Sequence, residues 1–113
     1  MTPPPSKDQT ERTSPNNIRE IFNKSQYPRW IENGVLTPKY IRNKHLPHPE
    51  LVNEPFCTYS QLIRYYDTNG RWLVEVHQYF RSKDKSIGGR GKPDPKRLRI
   101  GNKVLIADKE VNT

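Results

Sequence analysis

Asn69-Gly70 is the pair that most limits what this chain can become. Asn-Gly readily takes the positive-φ geometry of a two-residue type I′ turn, and hydrophobic and polar residues alternate on both sides of it. Residues 61–68 and 71–81 are therefore predicted as a hairpin. Its register pairs Thr68 with Arg71, Asp67 with Trp72, Tyr66 with Leu73, Tyr65 with Val74, Arg64 with Glu75, Ile63 with Val76 and Leu62 with His77. Period two places Trp72, Val74, Val76 and Phe80 on a core face with Tyr65 and Ile63. Glu75, His77, Tyr79 and Arg81 fall on the opposite face, with Arg64 across from Glu75. A shorter hairpin is predicted from residues 97–100 and 103–107 about Gly101-Asn102, a type II′ or I′ turn, with Leu98, Ile100, Val104 and Ile106 toward the core.

Upstream, the punctuation is proline. Residues 1–13 are polar and proline-rich without periodicity, and read as a flexible arm. Ser14-Pro15 has the chemistry of a helix cap followed by proline at the first helical position, and Ile18, Ile21 and Phe22 then share one helical face. Pro28 ends that run or starts another. Residues 29–33 form a short helical turn closed by Gly34, and Thr37-Pro38 repeats the cap signal for a third turn through Tyr40, Ile41 and Lys44. Residues 45–56 carry three prolines and read as a loop at the core edge, anchored by Leu46, Leu51 and Val52. The expected architecture is α+β: an N-terminal helix and short helical turns packed on a small antiparallel sheet of about four strands in two hairpins. One domain spans 14–107, after the arm and before a tail at 108–113.

Charge narrows the function. The chain has 113 residues, with 20 Lys and Arg against 12 Asp and Glu, a net charge of +8. Between Arg81 and Arg99 lie eight cations, Arg81, Lys83, Lys85, Arg90, Lys92, Lys96, Arg97 and Arg99, against Asp84 and Asp94, which is +6 of that total. A positive field this concentrated points to a polyanion. The segment matches neither phosphate-binding glycine pattern. In place of a Walker A Ser or Thr, Gly91-Lys92 is followed by Pro93, and Asp94 stands where G-x-G-x-x-G needs its last glycine. The first expectation is a small basic nucleic-acid-binding protein, RNA ahead of DNA, gripping the phosphate backbone with a loop over 81–99.

Other readings belong to different classes. Glu75 and His77, about 7 Å apart on one strand face, are the equipment of a metal-independent endoribonuclease of toxin type. One group takes the 2′-hydroxyl proton and the other protonates the leaving oxygen, Arg64 holds the phosphate and Tyr79 offers a stacking surface. A third reading is a protein-interaction module or inhibitor that completes its fold on an acidic partner. Residues 30–44 also have a helix-turn-helix flavour, with the hairpin as a wing. His45-x-x-His48 with Cys57 matches no closed zinc site, so neither metal nor cofactor is expected. A single cysteine allows no internal disulfide, and no apolar run reaches the ~20 residues of a membrane span. The expected setting is the cytoplasm, with no membrane partner.

Overall fold

The computed structural model describes residues 9–89 and 91–108. Among them the architecture is mostly β. Strands β1 (Gln9–Thr13), β2 (Thr37–His45), β3 (Thr58–Tyr66), β4 (Trp72–Arg81), β5 (Ser86–Ile87), β6 (Asp94–Ile100) and β7 (Lys103–Ala107) accompany two short helices, α1 (Pro15–Lys24) and α2 (Tyr27–Glu32). The strands form one seven-stranded sheet in the order β1-β7-β6-β4-β3-β2, with β5 also on β4. Every pairing is antiparallel except β1 with β7, so the sheet is mixed. The expected four-stranded antiparallel α+β arrangement is therefore wrong, for three reasons. Residues 9–13 of the supposed arm form β1. The third supposed helical turn is β2. The basic loop supplies β5 and lengthens β6.

Residues 37–45 show how a local signal loses to pairing. Thr37-Pro38 resembles a helix cap, but eight positions of the segment pair with β3. β2 lies at the sheet edge, where Pro38 can lack an N–H without leaving a ladder bond unmade. That placement also removes the helix-turn-helix reading. The first helix follows its sequence signals. Ser14 accepts from the Asn17 N–H at 3.1 Å, Pro15 opens α1, and Ile18 and Phe22 are buried. Pro28 lies in the first turn of α2, and Gly34 follows that helix at φ 72°.

Both hairpins form, with altered details. Asp67 N–H bonds to Arg71 C=O and Gly70 N–H to Asp67 C=O, so the loop holds three residues with Gly70 at φ 81°. That is a type I turn completed by a left-handed residue, one residue longer than the predicted turn. The extra residue is taken up at once: Tyr66 pairs with Trp72 and Tyr65 with Val74, leaving Leu73 as a bulge. Beyond the bulge the register from Tyr65–Val74 to Leu62–His77 is the predicted one. The bulge transfers Trp72 off the core face, and Leu73 packs against the core instead. In the second hairpin Ile100 pairs with Lys103, which sets Leu98 against Leu105. Leu105 therefore joins the core, Val104 and Ile106 pair with Arg99 and Arg97 on the other face, and Ile100 is exposed.

The core lies between α1 and one sheet face: Ile18, Phe22, Leu36, Ile63, Tyr65, Val74, Val76, Leu98 and Leu105. Tyr27 ties α2 to the same sheet by donating its hydroxyl proton to the Arg99 carbonyl. The segment 45–56 contains a 3-10 turn, Pro49–Val52. Its anchors are not Leu51 and Val52, which are exposed, but Pro49 and Glu54, which are buried.

Candidate nucleic-acid interface

The sheet face turned away from α1 carries most of the candidate chemistry. Val74 and Val76 point into the core, so alternation sends Glu75, His77, Tyr79 and Arg81 to the far face. The ladder then aligns their neighbours: Leu62 beside His77, Arg64 beside Glu75, and Arg97 on the other flank of Glu75. On β2 a bulge between Tyr40 and Arg42 absorbs Ile41. A strict period of two would split Lys39, Arg42 and Lys44 between the faces. With Ile41 absorbed, they pair with Arg64, Leu62 and Ser60 and share the far face. All nine residues of β2 are exposed, so these three cations stand in solvent.

Glu75 is the counter-charge inside this cationic face. Its Oε2 accepts from Arg64 Nη2 at 2.8 Å and Nε at 3.1 Å, and its Oε1 lies 3.8 Å from Arg97 Nε. Its side chain is only 7% exposed. The hydrogen bond that Arg64 donates to Glu75 raises the Arg64 pKa above its ordinary value. Arg99 lies over the displaced Trp72 ring at 4.7 Å and donates from Nε to the Trp72 carbonyl, with Arg64 at 5.9 Å from the same ring. Trp72 thus spaces two guanidinium groups through cation–π contacts.

His77 has a different environment from the one its spacing suggested. Its Nε2 is 2.8 Å from Ser60 Oγ, and its ring meets Tyr79 edge-on at 4.8 Å. Burial lowers its pKa, the nearby Lys96 and Arg42 lower it further, and Asp94 opposes them. These influences favour the neutral imidazole. Glu75 and His77 do share a face, but the carboxylate is committed to two arginines and the imidazole to a serine.

The supposed gripping loop is divided. Arg81 closes β4 and binds Glu54 at 2.8 Å, and Glu54 also accepts from the Gly89 N–H at 2.7 Å. Lys96 Nζ donates to Asp94 at 2.9 Å. The same carboxylate takes Arg19 Nε at 2.7 Å. Burial works to raise the Asp94 pKa, yet the hydrogen bonds from Arg19 and Lys96 outweigh it and the net shift is downward. Arg97 and Arg99 belong to β6 and the far face. Lys83, Lys85 and Lys92 remain as exposed loop cations, and Arg90 lies outside the described residues. Gly88, Gly89, Lys92 and Pro93 border a cleft of about 200 Å³ with Arg19, His77 and Tyr79 on its walls. Lys39, Arg42 and Lys44 were no part of the predicted grip; they entered the sequence reading only as outward cations of the second helix in the helix-turn-helix alternative. The signal for the strand that holds them was the Thr, Tyr and Ile content of 37–45.

Comparison with protein families, with characterised proteins and with solved structures finds no match to this chain. No helix among the described residues is long and apolar enough to cross a membrane.

Proposed function

We propose that this chain binds nucleic acid, RNA ahead of DNA, through the far face of its sheet. The observation that carries the reading is the alignment of Lys39, Arg42 and Lys44 in solvent beside Arg64 and Arg97. Lys39 stands about 5 Å from Arg64 across the ladder, and Arg42 and Lys44 about 7 Å apart along β2, a row suited to successive phosphates. RNA is favoured because Tyr79 and His77 interleave aromatic surface with the cations, the pattern that receives unpaired bases. A broad sheet face does not enter a duplex major groove, which admits a helix or a two-stranded ribbon.

A second reading is favoured by one observation, the His77 imidazole bonded to Ser60 with Arg42 and Lys96 nearby, a setting that lowers its pKa. A neutral imidazole in a cationic surround is suited to accept the 2′-hydroxyl proton as that oxygen attacks phosphorus. The bond to the 5′-oxygen breaks, the imidazolium returns a proton to it through water, and the cations stabilise the phosphorane charge. In such an endoribonuclease Glu75 serves to orient Arg64 and Arg97.

One gel separates these readings. The protein is titrated against labelled single-stranded RNA and duplex DNA at low and moderate salt, with and without EDTA, and each lane is read for shift and for cleavage. A salt-sensitive shift with intact RNA is the expected result. EDTA-resistant cleavage that disappears in His77→Ala makes the chain a ribonuclease. Absence of both at low salt overturns both readings and leaves a protein-interaction module as the reading to pursue.

A further inference from the structure

Phe56 is 75% exposed, and with Leu51 it forms the most exposed apolar pair among the described residues. Its setting is not that of a slack loop. Asn53 and Cys57, neither of them glycine, hold φ of 58° and 65°, a region that disfavours L side chains and is retained where the surroundings enforce it. Those surroundings are present on both sides. The Glu54 side chain is 1% exposed and is clamped between Arg81 and the Gly89 N–H. Thr58 Oγ1 donates to the Pro55 carbonyl at 2.7 Å, and the Ser82 N–H and hydroxyl both donate to the Cys57 carbonyl. A braced segment therefore holds a large aromatic ring in water.

The location matters as much as the bracing. Residue 56 lies two positions before Thr58, where β3 begins beside the end of β4 at Arg81. Leu46, which follows β2, bonds to Thr58, so Lys44 belongs to the same end of the sheet. Lys83 and Lys85 lie in the turn that Ser82 ties to Cys57. Phe56 thus belongs to the end of the sheet that carries Lys44 and the exposed lysines of that turn. Two side chains offer far less area than the roughly 800 Å² per partner of a stable protein interface, but enough to stack one base.

We infer that Phe56 is a stacking platform for an unpaired base at the end of the cationic sheet face, making the ligand class single-stranded RNA. The inference rests on the nucleic-acid reading and adds strand state to it. Phosphate contacts hold the strand along the face, and the ring receives a base that leaves the stack at its end.

The test compares the full-length chain with Phe56→Ala, Phe56→Leu and Phe56→Trp. Each is titrated with labelled oligoadenylate, with a fully paired RNA duplex and with phosphatidylserine vesicles. Phe56→Ala is expected to weaken oligoadenylate binding about ten-fold without changing its salt dependence. Tryptophan should restore affinity and leucine should not, and duplex binding should stay as in the parent. Equal oligoadenylate affinity for the parent and Phe56→Ala overturns the stacking role and leaves the cationic-face reading standing. Leucine restoring affinity as well as tryptophan also overturns it, since apolar area alone then suffices. Vesicle binding that is lost in Phe56→Ala while RNA binding persists assigns the ring to a lipid surface. A parent protein that binds no RNA removes the underlying reading and this inference together.

Discussion

Replacing Lys39, Arg42 and Lys44 together by glutamine tests which cations meet the phosphates. For single strands, each neutralised phosphate contributes about 0.7 to the slope of log Kobs against log salt. Three contacts should therefore flatten the slope by about 2 and weaken binding roughly a hundred-fold at about 0.1 M salt. The fold should survive, because all nine residues of β2 are exposed and the replaced side chains make no buried contact. Thermal melts and far-UV circular dichroism check that directly. The assay is fluorescence anisotropy of a short labelled RNA across about 50 to 200 mM salt. A companion variant, Lys83, Lys85 and Lys92 to glutamine, removes the exposed loop cations and should change the slope by less. An unchanged slope in the β2 variant, with the loop variant flattened, would refute the sheet-face assignment and return the grip to the loop.

Glu75→Gln removes the counter-charge between Arg64 and Arg97; RNA affinity should rise and the salt slope steepen by up to about 1, while stability falls by about 1 to 2 kcal/mol because both arginines can reach water. Urea titration and anisotropy on the same sample measure both effects, and weaker RNA binding would contradict the charge argument. His77 has its pKa lowered on folding, so the unfolded chain binds more protons below the ordinary histidine value. Its contribution to stability is present at neutral pH and is lost as pH falls below about 6.5. Melting temperatures from about pH 7.5 down to about 5.5 should fall less steeply in His77→Asn than in the parent. Gly88→Ala would place a methyl 1.9 Å from Glu54 Oε1, a carboxylate already held by Arg81 and Gly89. The expected loss is about 1 to 3 kcal/mol by denaturant titration, and an unchanged midpoint would mean that Glu54 is not fixed.

Local chemistry was legible where the partner of a residue is close in sequence. The Ser14-Pro15 cap, the pairing of Arg64 with Glu75 and the turn at Gly101-Asn102 are all set within a few residues or across one hairpin. β1 and β2 were not legible, because their partners are distant. Gln9–Thr13 is polar and becomes a strand only by lying parallel to Lys103–Ala107, and Thr37–His45 becomes one only beside Thr58–Tyr66. The same distance hid the exposed cations of the site. Charge density drew attention to 81–99, yet Arg81, Lys96, Arg97 and Arg99 are engaged with Glu54, Asp94, Glu75 and Trp72. Counting charges along a chain cannot separate a cation facing a carboxylate from one facing water, because exposure is decided by tertiary pairing.

Three bulges decide what the far face presents. Each inserts one residue that the partner strand does not match, and so reverses the sense of inside and outside for everything beyond it. Ile41 brings Lys39 into phase with Arg42 and Lys44. Leu73 turns Trp72 from the core to the arginines, where its ring spaces Arg64 and Arg99. On β6 Lys96 is the unmatched residue, so Arg97 stays beside Glu75 while Pro95 stays opposite Val76. An alternating pattern read from any of these strands fails at the bulge, and the residues it misplaces are those that make the face cationic and aromatic. The core residues Ile63, Val74 and Val76 pair within one regular stretch of the β3–β4 ladder, and Leu98 faces Val74 just before the β6 bulge. The irregularity therefore sets which side chains the far face presents, position by position.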